Sequence, residues 1–463
     1  MADDRTVLPL GAARCPGVSW DDLAAADSRP MPEFLSTESY RYLGSEPLSA
    51  DRYTDPGFFA REVERMWPNV WQYAARDEDM PEPGDFIVYE NVGRSYLVVR
   101  QADGSVRAFH NVCLHRGRKL KTEAGWANRI TCPYHAFSWN TDGTLHSIPC
   151  AWDFGHLDRA QMSLPDAQAD SWAGYIFVKE NPGGPSLLEY LAPLPEQFAR
   201  WRQAPMTTTV HVAKVLNANW KAVMEAFMEA WHSTATHPQI LAFTGDANGR
   251  NNIFGDHVNF GIAPVTLSPS LDRKGRDEQW QADVYFNFAG RGRLNRDEPL
   301  IVPPGGTARA TLGERSRRDY SRLYGIDLDH ATDCEMLDSL FYSVFPNFGP
   351  WGGFKPNLDY RFRPWPDQDH TLFEVRILSR AQGQALDPPP PMRVLAQGEP
   401  WVAAADVLGQ GLAEVLDQDV GNVEQVHAGL RASKNRRLQL GNYLDIRIRH
   451  FHTTLDKYLA DRP

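Results

Sequence analysis

The order of segments predicts an α+β protein: a small antiparallel β domain, then a larger domain in which helices accompany an antiparallel sheet. Two patterns carry this. Between about residues 70 and 180, short runs rich in β-branched and aromatic residues are separated by Gly and Asn. After residue 186, helix-like and strand-like patterns follow one another without regular βαβ alternation. The length, 463 residues, suits two or three domains at about 100–200 residues each.

Residues 1–45 are polar and proline-punctuated and read as an arm or packed leader. Residues 55–66 predict a short helix, with Asp55 at the N-cap, Pro56 in the first turn and Phe58, Phe59, Val63 and Met66 as its apolar residues. Strands are expected at 86–89, 96–99, 130–132 and 175–178. Thr141-Asp142-Gly143-Thr144 is a hairpin turn. In the second half, a helix is expected from about 217 to 236, and strands at 280–288, 341–346, 357–363 and 371–379. Two helices are expected at about 402–431 and 443–459, with loops over 292–318 and at Pro388–Pro391. The expected organisation is an arm over 1–45, a β domain over 46–185 and a larger domain over 186–463.

Composition narrows the function. Hydrophobic residues are 42% and charged residues 23%, so the chain as a whole is not disordered. The net charge of −11 disfavours general nucleic-acid binding, which draws its affinity from cations meeting phosphates. No apolar run approaches the roughly 20 residues that cross a bilayer. No basic segment leads into an apolar stretch at the start, so no export signal is expected. Five cysteines, Cys15, Cys113, Cys132, Cys150 and Cys334, are too few and too odd for a disulfide scaffold. The expectation is a cytoplasmic protein without nucleic-acid or membrane partners.

Four residues stand out first. Cys113-x-His115, then sixteen residues, then Cys132-x-x-His135 places one thiolate and one imidazole in each of two tight loops. Such loops can grip a metal from two sides. Zinc takes Cys₂His₂ sets but usually pairs like with like. One Cys and one His per loop better suits a Rieske [2Fe–2S] cluster, where two His replace two Cys on one iron. The plain alternative is buried Cys and surface His without ligand roles.

On these residues the chain resembles the Rieske non-heme iron oxygenases, in their large (alpha) catalytic subunit, from about residue 50 to the end. The resemblance implies that Cys113 and Cys132 hold one iron and His115 and His135 the other. It implies a small antiparallel Rieske domain followed by a helix-grip-like catalytic domain. Ala136 departs from the family, which more often has Gly after the second His. Cys15, Cys150 and Cys334 match nothing in it.

The second constellation lies in 219–238, NWKAVMEAFMEAWHSTATHP. At about 100° per residue, Trp220, Met224, Phe227 and Trp231 share a stripe opposite Glu225, Glu229 and His232. Periodicity alone reads the polar side as a solvated face. His237 lies about 140° around from His232 on an ideal helix, so the two imidazoles meet only if the helix ends between them. Thr234, Thr236 and Pro238 make that ending plausible.

Two His and one carboxylate form the facial triad of non-heme Fe(II) oxygenases and leave positions open for dioxygen. Glu229-x-x-His232-x₄-His237 fits the family's acid, two residues, His, four residues, His. Aligning 416–430, LDQDVGNVEQVHAGL, with the family's similar ending implies Asp419 as the carboxylate ligand, with Asp417 its rival. Either Asp could instead stabilise a helix N-terminus. Glu229 resembles the acid that links a Rieske His of one subunit to an iron-ligand His of the next. The family more often has Asp there, and some members acting on trimethylammonium substrates have Glu.

Arg116, Arg118, Lys119 and Lys121 put four cations in six residues of an acidic chain. They read either as a solvated loop or subunit interface, or as a dock for an acidic electron donor.

The expected function is a terminal oxygenase. Electrons from NAD(P)H arrive through a reductase, with or without a ferredoxin, pass the Rieske cluster and reach a mononuclear Fe(II), where O2 is used. The resemblance implies a homotrimer, with a small β subunit as a further expected partner. The expected reaction is hydroxylation of an aromatic or hydrophobic compound. The alternative is N- or O-demethylation, or hydroxylation of a quaternary ammonium compound. From another class, a non-catalytic Rieske electron carrier or a zinc-bearing interaction protein stays open. Phe243, Phe345, Asn347 and Trp351 are candidate pocket residues.

Overall fold

The computed structural model describes residues 15, 18–201, 205–288, 297–380 and 388–460. The α+β expectation holds. A seven-stranded antiparallel sheet runs in the order Gln72–Arg76, Tyr175–Lys179, Asp166–Trp172, Val106–His110, Arg94–Arg100, Asp85–Asn91, Gly125–Trp126. A three-stranded sheet, Ile130–Thr131, Ser138–Trp139 and Leu145–Ser147, carries the second Cys–His loop beside it. The expected turn closes this hairpin: Gly143 adopts φ +84° and Thr144 N–H donates to Asp142 Oδ1.

The larger sheet has eight strands, in the order Arg250–Phe254, Val258–Ala263, Ser339–Val344, Phe348–Pro350, Asn357–Pro364, Thr371–Arg380, Met206–Leu216, Arg393–Leu395. Only the last pairing is parallel. The helices Gln410–Ala432 and Ile446–Leu459 accompany it. No helix among the described residues is long and apolar enough to cross a membrane.

Four expected elements are corrected. Residues 280–288 form a helix, Glu278–Phe288, not a strand. Val284, Phe286 and Phe288 alternate like a strand, but Asp277 accepts Trp280 N–H at 2.8 Å, and Gln281, Ala282 and Tyr285 bury at helical spacing. The expected loop over 292–318 contains the start of a helix, Ala308–Tyr324, capped by Thr307; residues 289–296 lie outside the described residues. Its charges hid its buried side. Arg315 pairs with Asp319 and Arg317 with Asp333, and all four are buried.

The expected helix over 217–236 is two short helices, Trp220–Glu225 and Ser233–Thr236. Met228 N–H donates to Glu225 O, a tighter turn, and Met228 O accepts from the buried Arg447 rather than from a following turn. The stripe argument therefore ends at Glu225: Trp220 and Met224 are buried, and Trp231 is exposed. The helix expected over 402–431 is interrupted at Gly409, whose φ of +83° separates Ala405–Leu408 from Gln410–Ala432. The strand Met206–Leu216 was not anticipated.

The two large sheets are locked together by buried charge. Glu374 accepts from Arg361 at 2.5 and 2.9 Å and from Arg363 at 3.0 Å. Arg361 also donates to Tyr73 O and Ala74 O, and Arg363 to Glu90 O, all in the smaller sheet. Burial pushes the Glu374 carboxyl up, but the two guanidiniums win and hold it well below its ordinary value. Glu374→Ala leaves two arginines buried without a counter-charge, a cost of about 3–5 kcal/mol. The thermal midpoint is expected to fall while metal content stays constant; an unchanged midpoint contradicts this reading of the junction.

Candidate functional site

Two loops of the same design hold the first four residues. Cys113 N–H donates to Arg118 O, and Gly117 N–H to Cys113 O. Cys132 N–H donates to Phe137 O, and Ala136 N–H to Cys132 O. Gly117 and Ala136 occupy equivalent left-handed positions, at φ +73° and +59°. A β-carbon there costs roughly 1–2 kcal/mol, so Ala136 is tolerated but strained.

The two loops bring Cys113, His115, Cys132 and His135 together. Both cysteines are buried, and the imidazole centroids are 4.6 Å apart. Burial, and the neighbouring Cys132, push the Cys113 thiol up. Phe137 stacks on His115, at 4.8 Å and 11°. His115 Nδ1 is buried without a hydrogen-bond partner. Such an orphan is costly, and it fits a ring nitrogen that binds metal. Two buried thiols and two more superficial imidazoles could hold a [2Fe–2S] cluster or a zinc ion.

The basic stretch flanks this group. Arg116, Arg118 and Lys119 are exposed, and Lys121 is half-buried. Arg116 lies over the exposed Tyr134, and Lys119 pairs with Glu90.

The second constellation forms where the broken helix ends. His232 Nε2 is 3.4 Å and His237 Nε2 2.9 Å from Asp419 Oδ1. One donor atom from each of the three lies within 4.8 Å of the others, a group that could hold a metal ion. Asp419 comes from the long helix Gln410–Ala432. Asp417 is turned away, and accepts from Trp401 N–H at 2.7 Å and Val402 N–H at 3.1 Å. That is the helix-terminus role open to either aspartate.

Glu229 binds His232 twice. Its Oε1 is 2.5 Å from His232 Nδ1, and its Oε2 accepts His232 N–H at 3.0 Å. Burial works to lower the His232 pKa, but Asp419 and Glu229 raise it to about 10. Burial works to raise Asp419, but the two imidazoles bring it below its ordinary value. Glu229, His232 and Asp419 open onto a cleft of about 220 Å³, with Glu225 and Asp445 adding acid and Trp231 apolar surface.

The hydroxyl of the buried Tyr360 is raised by burial and by the charge of Asp419. Phe227 is 4.8 Å and Trp351 6.2 Å from its ring, so Trp351 belongs to an aromatic wall near the triad. Phe243 packs on Tyr285 and Phe288. Phe345 packs on Phe451 and Tyr458, and Asn347 donates to Phe362 O, so these two serve the core. Sequence reasoning missed Tyr360, Arg447 and Gln418. Only Gln418, beside Asp419 in the chain, carried a signal.

Residues 70–157 match the family model of the Rieske [2Fe-2S] domain. Residues 198–461, more than half of the chain, match that of the ring-hydroxylating alpha subunit, catalytic domain. The chain is 31% identical over 223 residues to the carnitine monooxygenase oxygenase subunit of Escherichia coli (strain K12), covering 46% of this chain and 58% of that one. It is 30% identical over 200 residues to the glycine betaine monooxygenase oxygenase subunit of Chromohalobacter salexigens, covering 43% and 44%. The large oxygenase component of the naphthalene 1,2-dioxygenase system of Pseudomonas aeruginosa is 34% identical over 200 residues, covering 40% and 43%. The chain spans about half the length of the curated relatives it matches. Among solved structures, a quaternary ammonium Rieske monooxygenase with L-carnitine has a TM-score of 0.63 at 16% identity, covering 92% of this chain and 100% of that one. Naphthalene 1,2-dioxygenase with indole bound has 0.64 at 19%, covering 90% and 93%. These likenesses carry the fold.

Proposed function

Because the chain belongs to the ring-hydroxylating alpha-subunit family, with a Rieske [2Fe-2S] domain ahead of its catalytic domain, we propose that it is the terminal component of an oxygenase. The observation that carries this is the pair of donor sets in one chain: the Cys–His quartet with the orphaned His115 Nδ1, and the triad braced by Glu229. In this reading Cys113, His115, Cys132 and His135 hold the cluster, and His232, His237 and Asp419 hold Fe(II). When bound, these groups supply single-electron relay and dioxygen chemistry.

The chain's own residues do the rest. Glu229 accepts the Nδ1 proton of His232 and so presents Nε2 to the metal. Hydroxylation, RH + O2 + 2e⁻ + 2H⁺ → ROH + H2O, draws two electrons, which we assign to NAD(P)H through a reductase, with or without a ferredoxin. The aromatic wall of Phe227, Trp351 and Tyr360 is the apolar surface we assign to a substrate. Of the arm, the described residues 18–45 belong in this reading to the catalytic body of 186–463: Ser28 bonds Asp333 at 2.7 Å and Arg250 bonds Ser36 O. The Rieske body is 46–185, and the protein is cytoplasmic, as its five free cysteines favour.

The exposed basic knob at Arg116, Arg118 and Tyr134 complements the acidic cleft at Glu225, Glu229 and Asp445. We assign the cleft to the knob of a second copy, closing a homotrimer in which Glu229 links the Rieske imidazole of one copy to His232 of the next. A small β subunit fits this assembly without being required by it. The knob's outer cations would meet the electron donor. Lys119→Glu is then expected to slow cluster reduction several-fold at low salt, with the difference vanishing at high salt. Identical rates and salt slopes remove the donor from this face.

Two substrate classes fit. The relatives named for carnitine and glycine betaine, the glutamate at position 229 and the aromatic wall favour a quaternary ammonium compound, because aromatic faces attract such cations. The relative named for naphthalene and the wall's lack of charge favour an aromatic or hydrophobic compound. Substrate-dependent oxygen uptake with the purified protein, a reductase and NADH, screened against both classes, tests the proposal. Coupled uptake with product supports it. Iron-loaded protein that takes up electrons but never oxygen makes it a Rieske carrier instead.

A further inference from the structure

The two imidazoles of the triad are braced by different chemistry. His232 meets the carboxylate of Glu229. His237 Nδ1 lies 2.7 Å from Gln418 Oε1, an amide. That amide is itself held: Gln239 Nε2 donates to the same oxygen at 2.7 Å, and Gln418 Nε2 donates back to Gln239 Oε1 at 3.4 Å.

We propose that Gln418 and Gln239 form an amide clamp that sets the tautomer of His237 and makes it the weaker donor of the two metal-binding imidazoles. This rests on the triad reading above. A lone glutamine can present either end of its amide, and then the imidazole can choose either tautomer. Turning Gln418 over alone would set its NH₂ against the NH₂ of Gln239. Turning both amides together keeps their mutual bonds but puts the proton on Nε2, which the metal-ligand reading rules out. With Oε1 fixed toward His237, Nδ1 must carry the proton, and the lone pair stands on Nε2, toward Asp419.

Both glutamines are placed by rigid elements. Gln239 sits in the single turn Pro238–Ile240, directly after His237. Gln418 precedes Asp419 on the helix Gln410–Ala432, so one helix supplies both the carboxylate and the brace of its neighbour. A carboxylate partner makes an imidazole more basic, and an amide does so less. The clamp thus brings no third negative charge to the site beyond Glu229 and Asp419. Gln418 and Gln239 are positioning residues in this account; neither is assigned to the metal.

The test uses the full chain with its cluster intact and Co(II) as the probe of the mononuclear site. Affinity is read by chelator competition and geometry by the visible ligand-field bands. Gln418→Leu is expected to weaken Co(II) binding about 10–100-fold, with cluster absorption unchanged. Gln239→Leu is expected to weaken it in the same direction by less, and it decides the matter if Gln418→Leu does not fold. Gln418→Glu keeps an acceptor and is expected to restore the affinity, with shifted bands from its added charge. Wild-type affinity and bands in both leucine variants overturn the clamp. Unchanged binding in His237→Ala would instead sink the triad itself.

Discussion

Glu229→Gln is expected to keep both metal complements and to lose coupled turnover, by about 10–100-fold. The carboxylate touches His232 at the ring and at the backbone, 2.5 and 3.0 Å away. Gln is nearly the same shape, so the turn between the two short helices survives. It brings no charge, and only one of its terminal atoms can accept. His232 loses the partner that makes it a strong donor, and the proposed bridge to the next copy loses its negative centre. Oxygen uptake and product are to be compared with iron content in the same preparation. Full activity with full iron would remove Glu229 from electron delivery and leave it a local brace of the turn.

Cys113→Ala is expected to abolish the visible absorption of the cluster and all product formation, while the separate triad still binds iron. Cys113 is buried beside Cys132 and close to the orphaned His115 Nδ1. Cys150 is exposed, and Cys334 is buried in the larger core cluster with its thiol pushed well up, chiefly by burial. An unchanged spectrum in Cys113→Ala would mean that the ligand set is misassigned. Loss of absorption together with loss of the mononuclear iron would mean that the two sites are not independent.

Much of this was legible because the informative residues are close in sequence. Cys-x-His and Cys-x-x-His sit in loops whose hydrogen bonds span five residues, so the spacing alone implied the geometry. The convergence of His232 and His237 was legible from the angle between them, which a continuous helix forbids. The cause of the break was not: it depends on Arg447, more than 200 residues away, taking the carbonyl of Met228. The helix Glu278–Phe288 was misread because Val284, Phe286 and Phe288 mimic strand alternation, and what separates the two readings is the cap at Asp277. The helix Ala308–Tyr324 was hidden because its buried side carries arginines whose partners come partly from other segments. Asp419 and Asp417 could not be separated by pattern. In space, the first meets two imidazoles and the second caps the turn at Trp401.

In the proposed function one chain holds two unlike iron stations, a sulfur-bridged pair and a single ion held by His232, His237 and Asp419. Mössbauer spectroscopy of isotope-enriched, dithionite-reduced protein tests it in one spectrum. Three iron components of equal area are expected: a ferric site in sulfur, a ferrous site bearing imidazoles, and an uncoupled high-spin ferrous site that disappears in His237→Ala. A spectrum without the third component, or protein whose Cys–His quartet holds zinc and gives no iron pair, would contradict it.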